Sequence, residues 1–288
     1  MPSDRSEIED CFEFIKTKQD QGYDLIFFPN PGNSGDAVIA CATIQQLEKR
    51  RIRCTLARSG MQHKPSNYYI YGGGGNLVPF YADAAKVLAS LSRQKAGLCV
   101  LPHSCFGVDS VLQLYEGDLT IFAREATTQH YLRSLDARHL TIKIDHDIGL
   151  SLDMEDPRLA MPRTFNALYG NAGRRQSLCI LRNDCESVAN PLLAGKNSID
   201  ISNLWPKGFP SRGFGVTYLD APLVFNCVSW FLSLLAPAAV IHTDRLHVGI
   251  AAALLGKEVY LYDNCYKKIS AVYEFSLKNR PGLNIRLG

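Results

Sequence analysis

Residues 239–264 read AVIHTDRLHVGIAAALLGKEVYLYDN. A β-branched run at Val240 and Ile241 leads into His242-Thr243-Asp244, a small-residue helix follows through Gly249, Ala251, Ala252 and Ala253, and Gly256 stops it before a second apolar run at 259–262. Strand, helix and strand at this spacing form a βα unit, because parallel neighbours need a crossover and the helix supplies one. The reading predicts strands at 240–242 and 259–262 and a helix at 246–255. Thr243 or Asp244 is expected to cap that helix, placing Arg245 and His247 in its first turn. A cation there opposes the helix dipole, which makes most sense if an anion binds. The plainer alternative is that Asp244 neutralises Arg245. His242, Asp244 and His247 carry metal-ligating atoms, but no further ligand set accompanies them, and no metal is expected.

Working outward, the same alternation recurs. Strands are predicted at 25–28, 53–57, 68–71, 98–101, 119–123 and 141–144, with helices at 36–49, 79–92 and 125–135. Periodicity fades from 151 to 175, where Pro157, Pro162, Gly170 and Gly173 punctuate a polar stretch. A second series follows, with strands at 178–181 and 198–201 and helices at 223–235 and 266–278 beside the unit already described. The division is therefore an N-terminal α/β domain over 1–150, a connection over 151–175 and a smaller α/β domain over 176–288.

In open α/β sheets ligands gather where strand carboxyl ends meet the next loop. Besides 242–247, three such junctions carry unusual residues. Phe28-Pro29-Asn30-Pro31-Gly32-Asn33-Ser34-Gly35-Asp36 is a glycine-bearing turn opening a helix, without the P-loop lysine or a dinucleotide fingerprint. Asn33, Ser34, Gly35 and Asp36 are its candidates for ligand contact, against the alternative of a simple helix cap. Gly72-Gly73-Gly74-Gly75 follows an apolar run, and so many glycines imply a close neighbour: a substrate or the first loop. His103 sits near the end of the next strand. Finally, Arg124 and Arg182 each close an apolar strand, where a guanidinium can hold carboxylate or phosphate, though Glu125 and Asp184 stand beside them as ready partners.

Composition bounds the rest. At 288 residues, with 46% hydrophobic and 20% charged residues, the chain is long enough for two self-supporting cores. A net charge of +3 is too small and too dispersed to argue for nucleic acid. Nine cysteines, odd in number and never in CxxC, read as buried thiols of a reducing compartment. Four acidic residues within 1–10 argue against a secretory signal, and the longest apolar run, 225–241, is interrupted by Asn226, Ser229, Ser233 and Pro237. A cytoplasmic enzyme is expected. Lys267, Lys268, Lys278 and Arg280 read either as a patch touching the inner membrane face or as a solvated helix face.

Asn33-Ser34-Gly35-Asp36, the glycines 72–75, Arg124-Glu125, Thr243-Asp244-Arg245-Leu246-His247 and Asp263-Asn264-Cys265-Tyr266-Lys267-Lys268 occur in an order that resembles the polysaccharide pyruvyl transferase family. The resemblance implies two Rossmann-like parallel-sheet domains facing a cleft, as in B-type glycosyltransferases. It implies transfer of pyruvate from phosphoenolpyruvate onto two hydroxyls of a saccharide, giving a cyclic ketal and phosphate in exopolysaccharide or cell-surface glycan synthesis. By the same resemblance Arg245-Leu246-His247 hold the donor, with Arg124 and Arg182 as further donor ligands. The residue chemistry makes His247 the candidate acid or leaving-group stabiliser and Asp36 the candidate for orienting or deprotonating the acceptor hydroxyl. Gly73, Gly74, Gly75 and His103 belong to the acceptor side. Phosphoenolpyruvate is a co-substrate here, and no cofactor is required. The acceptor is open to being lipid-linked. A nucleotide-sugar glycosyltransferase and a non-catalytic sugar- or anion-binding protein are the competing readings.

Overall fold

The computed structural model describes residues 9–57, 61–159, 177–190, 193, 197–203 and 221–288. The N-terminal elements are α1 (Cys11–Asp20), β1 (Asp24–Phe28), α2 (Ser34–Lys49), β2 (Cys54–Leu56), β3 (Asn67–Tyr71), β4 (Gly74–Leu77), α3 (Asp83–Ser92), β5 (Gly97–Cys105), α4 (Asp109–Gln113), β6 (Leu119–Ala123), α5 (Ala126–Ser134) and β7 (Leu140–Ile144). Their strands form one parallel sheet ordered β2-β1-β3-β5-β6-β7, with β4 paired to the end of β5. The direction of winding reverses between β1 and β3. Crevices for ligands form at such a reversal, and the loops leaving β1 and β3 are the two glycine-bearing stretches.

The C-terminal elements are β8 (Ser177–Ile180), α6 (Ala221–Leu235), β9 (Val240–Thr243), α7 (Leu246–Leu254), β10 (Glu258–Leu261), α8 (Lys268–Val272) and β11 (Ile285–Leu287). They give a second parallel sheet ordered β11-β10-β9-β8. Between the sheets, α2 packs on α6 and α7, and one apolar cluster runs from Ile39 and Ile44 through Phe225 and Phe231 to Ile250 and Leu261. The small side chains of α7 permit this: Gly249 lies against Leu261, where a Cβ would stand 2.5 Å from its Cδ2. Residues from the two ends of the chain thus meet across one packed seam.

Several predicted elements differ in detail. The glycine run is not all loop: Gly74 begins β4, and its φ of +145° is one that side chains rarely adopt. β5 continues through Pro102 and His103 to Cys105, with its register against β6 shifting where the proline interrupts the ladder. The predicted strand at 198–201 is a single bridge from Cys179 to Ser198 before a 3-10 turn, Ile201–Asn203. The predicted helix 266–278 is α8 followed by a π turn, Tyr273–Leu277. In the connection, Ile148–Ser151 and Pro157–Leu159 are 3-10 turns, and 160–175 lies outside the described residues.

Candidate functional site

The carboxyl ends of both sheets open onto one recess, lined by Asn33, Gly35 and Asp36 from the first loop, Gly75 and Asn76 from β4, Arg124 after β6, Arg182 after β8, and Arg245, Leu246, His247 and Lys268 from the second sheet's loops. Nine of the expected residues meet there. Ser34 turns into the core at 1% exposure, and Gly73, Gly74 and His103 lie behind the lining.

The first loop is held by its own side chains. Asn33 caps α2, its Oδ1 accepting from Gly35 N–H at 2.8 Å, while Asp36 Oδ2 accepts from Asn33 N–H at 2.8 Å. The other Asp36 oxygen accepts from Asn30 Nδ2 at 2.9 Å. Asn30 Oδ1 in turn accepts from Tyr71 Oη at 2.8 Å and Asn76 Nδ2 at 2.6 Å, tying the loops after β1 and β3 together. Glycine is needed where they touch: a Cβ on Gly72 would stand 2.5 Å from Asn30 N. His103 belongs to this layer. Its Nε2 accepts from Asn76 N–H at 3.1 Å, and burial, with the charge of Arg124, lowers its pKa to about 3. It is therefore neutral and has no proton to give near pH 7.

Four cations surround the recess, each already paired. Arg124, 1% exposed, donates Nε to Ser104 Oγ and Nη1 to Asp147 Oδ2, both at 2.8 Å. Its neighbour Glu125 is not its partner; that carboxylate caps α5 through Thr128 N–H. Arg182 bonds Asp184 at 2.9 Å and Glu186 at 2.5 Å. Arg245 pairs with Asp184 at 3.0 Å and with Asp200, while its Nε is buried and has no hydrogen-bond partner among the described residues. Lys268 reaches Glu186 at 2.6 Å, and its side chain is 12% exposed, so it is not part of a solvated helix face. Burial, together with Arg182 and Arg124, lowers its pKa to about 8 against the pull of Glu186. Gly75 makes room for this group, since a Cβ there would lie 2.8 Å from Arg124 Nη2 and 3.8 Å from Lys268 Nζ.

The helix entry differs from expectation. Arg245 itself occupies the cap position of α7, its N–H bonded to Thr243 Oγ1 at 3.0 Å. Asp244 faces away and accepts from Arg182 N–H at 2.8 Å. His242 bonds Tyr262 Oη through Nδ1 at 2.8 Å. His242, Asp244 and His247 therefore point to separate partners and form no shared ligand set.

His247 lies between two glycines: a Cβ on Gly35 would be 3.2 Å from its Nδ1, and one on Gly149 would be 3.3 Å from its Cδ2. Its Nε2 contacts Asp147 at 3.2 and 3.3 Å. Asp147, 2% exposed, follows β7, accepts from Gly149 N–H at 2.9 Å and holds Arg124 as well. Burial alone would raise its pKa; His247, Arg124 and the Gly149 N–H outweigh this and hold it below the usual carboxylate range. Asp147, Glu186 and Asp200 were missed in the sequence, where an acid after a strand looks like any loop carboxylate.

Two parallel sheets of Rossmann type with an arginine-rich recess between their carboxyl ends define the B-type glycosyltransferase architecture. A crystal structure of a functionally uncharacterized protein from Klebsiella pneumoniae shares this fold, with 26% identity, a TM-score of 0.74, and coverage of 96% of this chain and 98% of that one. No curated protein is significantly similar in sequence. The family model for polysaccharide pyruvyl transferase matches residues 33–266, and the chain belongs to that family. It is accordingly an enzyme that moves pyruvate from phosphoenolpyruvate onto a saccharide. Among the described residues no helix is long and apolar enough to cross a membrane.

Proposed function

We propose that phosphoenolpyruvate occupies the recess, with Arg124, Arg182, Arg245 and Lys268 around its carboxylate and phosphate and with His247 as the proton donor. The observation that carries this is the buried Nε of Arg245, which has no partner among the described residues and lies among three further cations. Leaving a buried donor unsatisfied costs about 1–3 kcal/mol, and buried ion pairs add little net stability, so the cluster is better explained by an anion it binds than by the fold. As lined by described residues the cavity measures about 80 Å³, a size that suits a small anion.

In this scheme one acceptor hydroxyl adds at C2 of the donor while His247 delivers a proton to the methylene carbon, and the proton lost by that hydroxyl restores the histidine. The C2–O bond then breaks and phosphate departs, and the second hydroxyl closes the ketal, its proton leaving with phosphate. His247 suits the first proton transfer because Asp147 engages Nε2 and leaves Nδ1 without a hydrogen bond among the described residues. Asp36 faces the recess, yet both its oxygens brace the first loop, which favours orienting an acceptor hydroxyl over deprotonating it.

The reading extends to a cytoplasmic enzyme, for which the nine free cysteines are the support, and leaves a lipid-linked acceptor at the inner face of the membrane as one arm of the test. The test is phosphate release from phosphoenolpyruvate with a panel of free and lipid-linked saccharides, with mass analysis for the ketal. Release without ketal formation, or ketal formation unaffected by loss of Arg245, refutes the assignment of the recess.

A further inference from the structure

A second cavity, about 490 Å³, adjoins the recess and falls within the roughly 300–1,000 Å³ typical of ligand pockets. Its walls are the end of β5 with Phe106, the start of α5 with Glu125 and Thr127, and the segment from Tyr266 to Glu274. Lys268 lines both cavities. So does the Arg124–Ser104 pair between them, bonded at 2.8 Å, with the guanidinium on the recess side and Ser104 on the other. We propose that this groove holds the acceptor as a hexopyranose-containing saccharide, a conclusion that rests on the recess being the phosphoenolpyruvate site.

The chemistry of the reaction calls for such a neighbour. Both acceptor hydroxyls must reach one carbon of the donor, so the sugar must sit in a space that opens onto the recess. The lining is also suited to a sugar ring. Phe106 and Tyr266 lie with ring centroids 4.9 Å apart, and Phe80 joins them at 6.0 and 6.1 Å. Phe80 is 45% exposed, so three aromatic rings from three separate segments cluster at a solvent-facing lip. An aromatic face against the C–H face of a pyranose removes apolar surface from water on both sides. Around the rings, the Thr127 and Ser270 hydroxyls and the exposed Glu274 carboxylate, which also meets Lys278, offer acceptors and donors to sugar hydroxyls, while Glu125, buried and bonded to Thr128, only shapes the wall. The donor recess is dominated by arginines, whereas this groove mixes rings and hydroxyls with Glu274, Lys267 and Lys268, a lining that suits a polar acceptor rather than a second phosphorylated anion.

The test uses Thr127→Trp, which fills the groove from an exposed helical position, and Phe106→Ala, which removes a ring. Thermal denaturation verifies that each is folded. Saturation-transfer NMR with methyl hexopyranosides bearing free O4 and O6 reports saccharide binding, calorimetry reports phosphoenolpyruvate affinity, and phosphate release gives the acceptor KM. The saccharide signal is expected to vanish in Thr127→Trp, and the acceptor KM to rise by roughly tenfold or more in both variants, while donor affinity stays within about twofold. Wild-type protein that lacks a saccharide signal, or variants that keep the wild-type signal and acceptor KM, overturn the groove. A saccharide signal lost in Thr127→Trp, in a protein without affinity for phosphoenolpyruvate, overturns the donor reading and keeps the groove as a saccharide site.

Discussion

Asp147→Asn removes one charge from the point where the two halves of the site meet, and leaves the side chain's shape. The side chains of Arg124 and Asp147 are each 1% exposed, and breaking a buried pair from one side costs about 3–5 kcal/mol. The asparagine carbonyl still accepts from Arg124, which places the expected loss near the lower figure, ~3 kcal/mol in urea unfolding. Turnover should suffer separately. An amide nitrogen facing His247 Nε2 donates where the carboxylate accepted, so the ring is held neutral with its proton on Nδ1 and loses the charge that stabilises its acidic form. A positioned acid contributes about 10²–10⁴-fold, and kcat is expected to fall by about 10²-fold or more, with phosphoenolpyruvate affinity within about tenfold of wild type. The pH dependence carries a sign as well. Because the Asp147 pKa is depressed in the fold, its contribution to stability is full above the ordinary carboxylate pKa of about 3.9 and is lost as pH falls below it. Asp147→Asn should flatten that acid limb. A folded variant with kcat within about threefold of wild type would refute the coupling of Asp147 to His247 and the acid role of the histidine.

Arg245→Lys keeps charge but loses Nε and the planar fork, and calorimetry should show phosphoenolpyruvate binding weakened about tenfold or more, with a smaller effect on kcat. Gly75→Ala places a methyl 2.8 Å from Arg124 Nη2; donor affinity should drop about tenfold or more while urea unfolding shows a loss of only about 1–3 kcal/mol. Lys268, with its pKa lowered to about 8, loses its charge as pH rises, so donor affinity should decline above pH 8 in wild type and show no such step in Lys268→Met.

The βα alternation was legible because period and punctuation are local. The apolar runs, the glycine stops and the Asn33-to-Asp36 start of α2 are set by neighbours a few residues away. The arginines at strand ends and the 245–247 turn were legible for the same reason: a parallel strand's carboxyl end is where its side chains face a cleft. The short α8 with its π turn escaped this reading, since its bounds depend on packing against the second sheet.

The tertiary structure decided what each charge is for. Arg124 and Glu125 are neighbours in the chain, yet one joins Asp147 and the other caps α5. Arg245 passes over the adjacent Asp244 for Asp184 and Asp200, and Lys268, read as exposed, closes on Glu186 across 82 positions. Asp147 meets His247 over a separation of 100 residues. The sequence by itself determined the alternating elements and the places where a ligand could bind, because backbone preference and hydrophobic period act over a few residues. Only the packed fold decided which acid meets which base, because charge pairing depends on distance and burial, and both arise when α2, α6 and α7 bring the two sheets together.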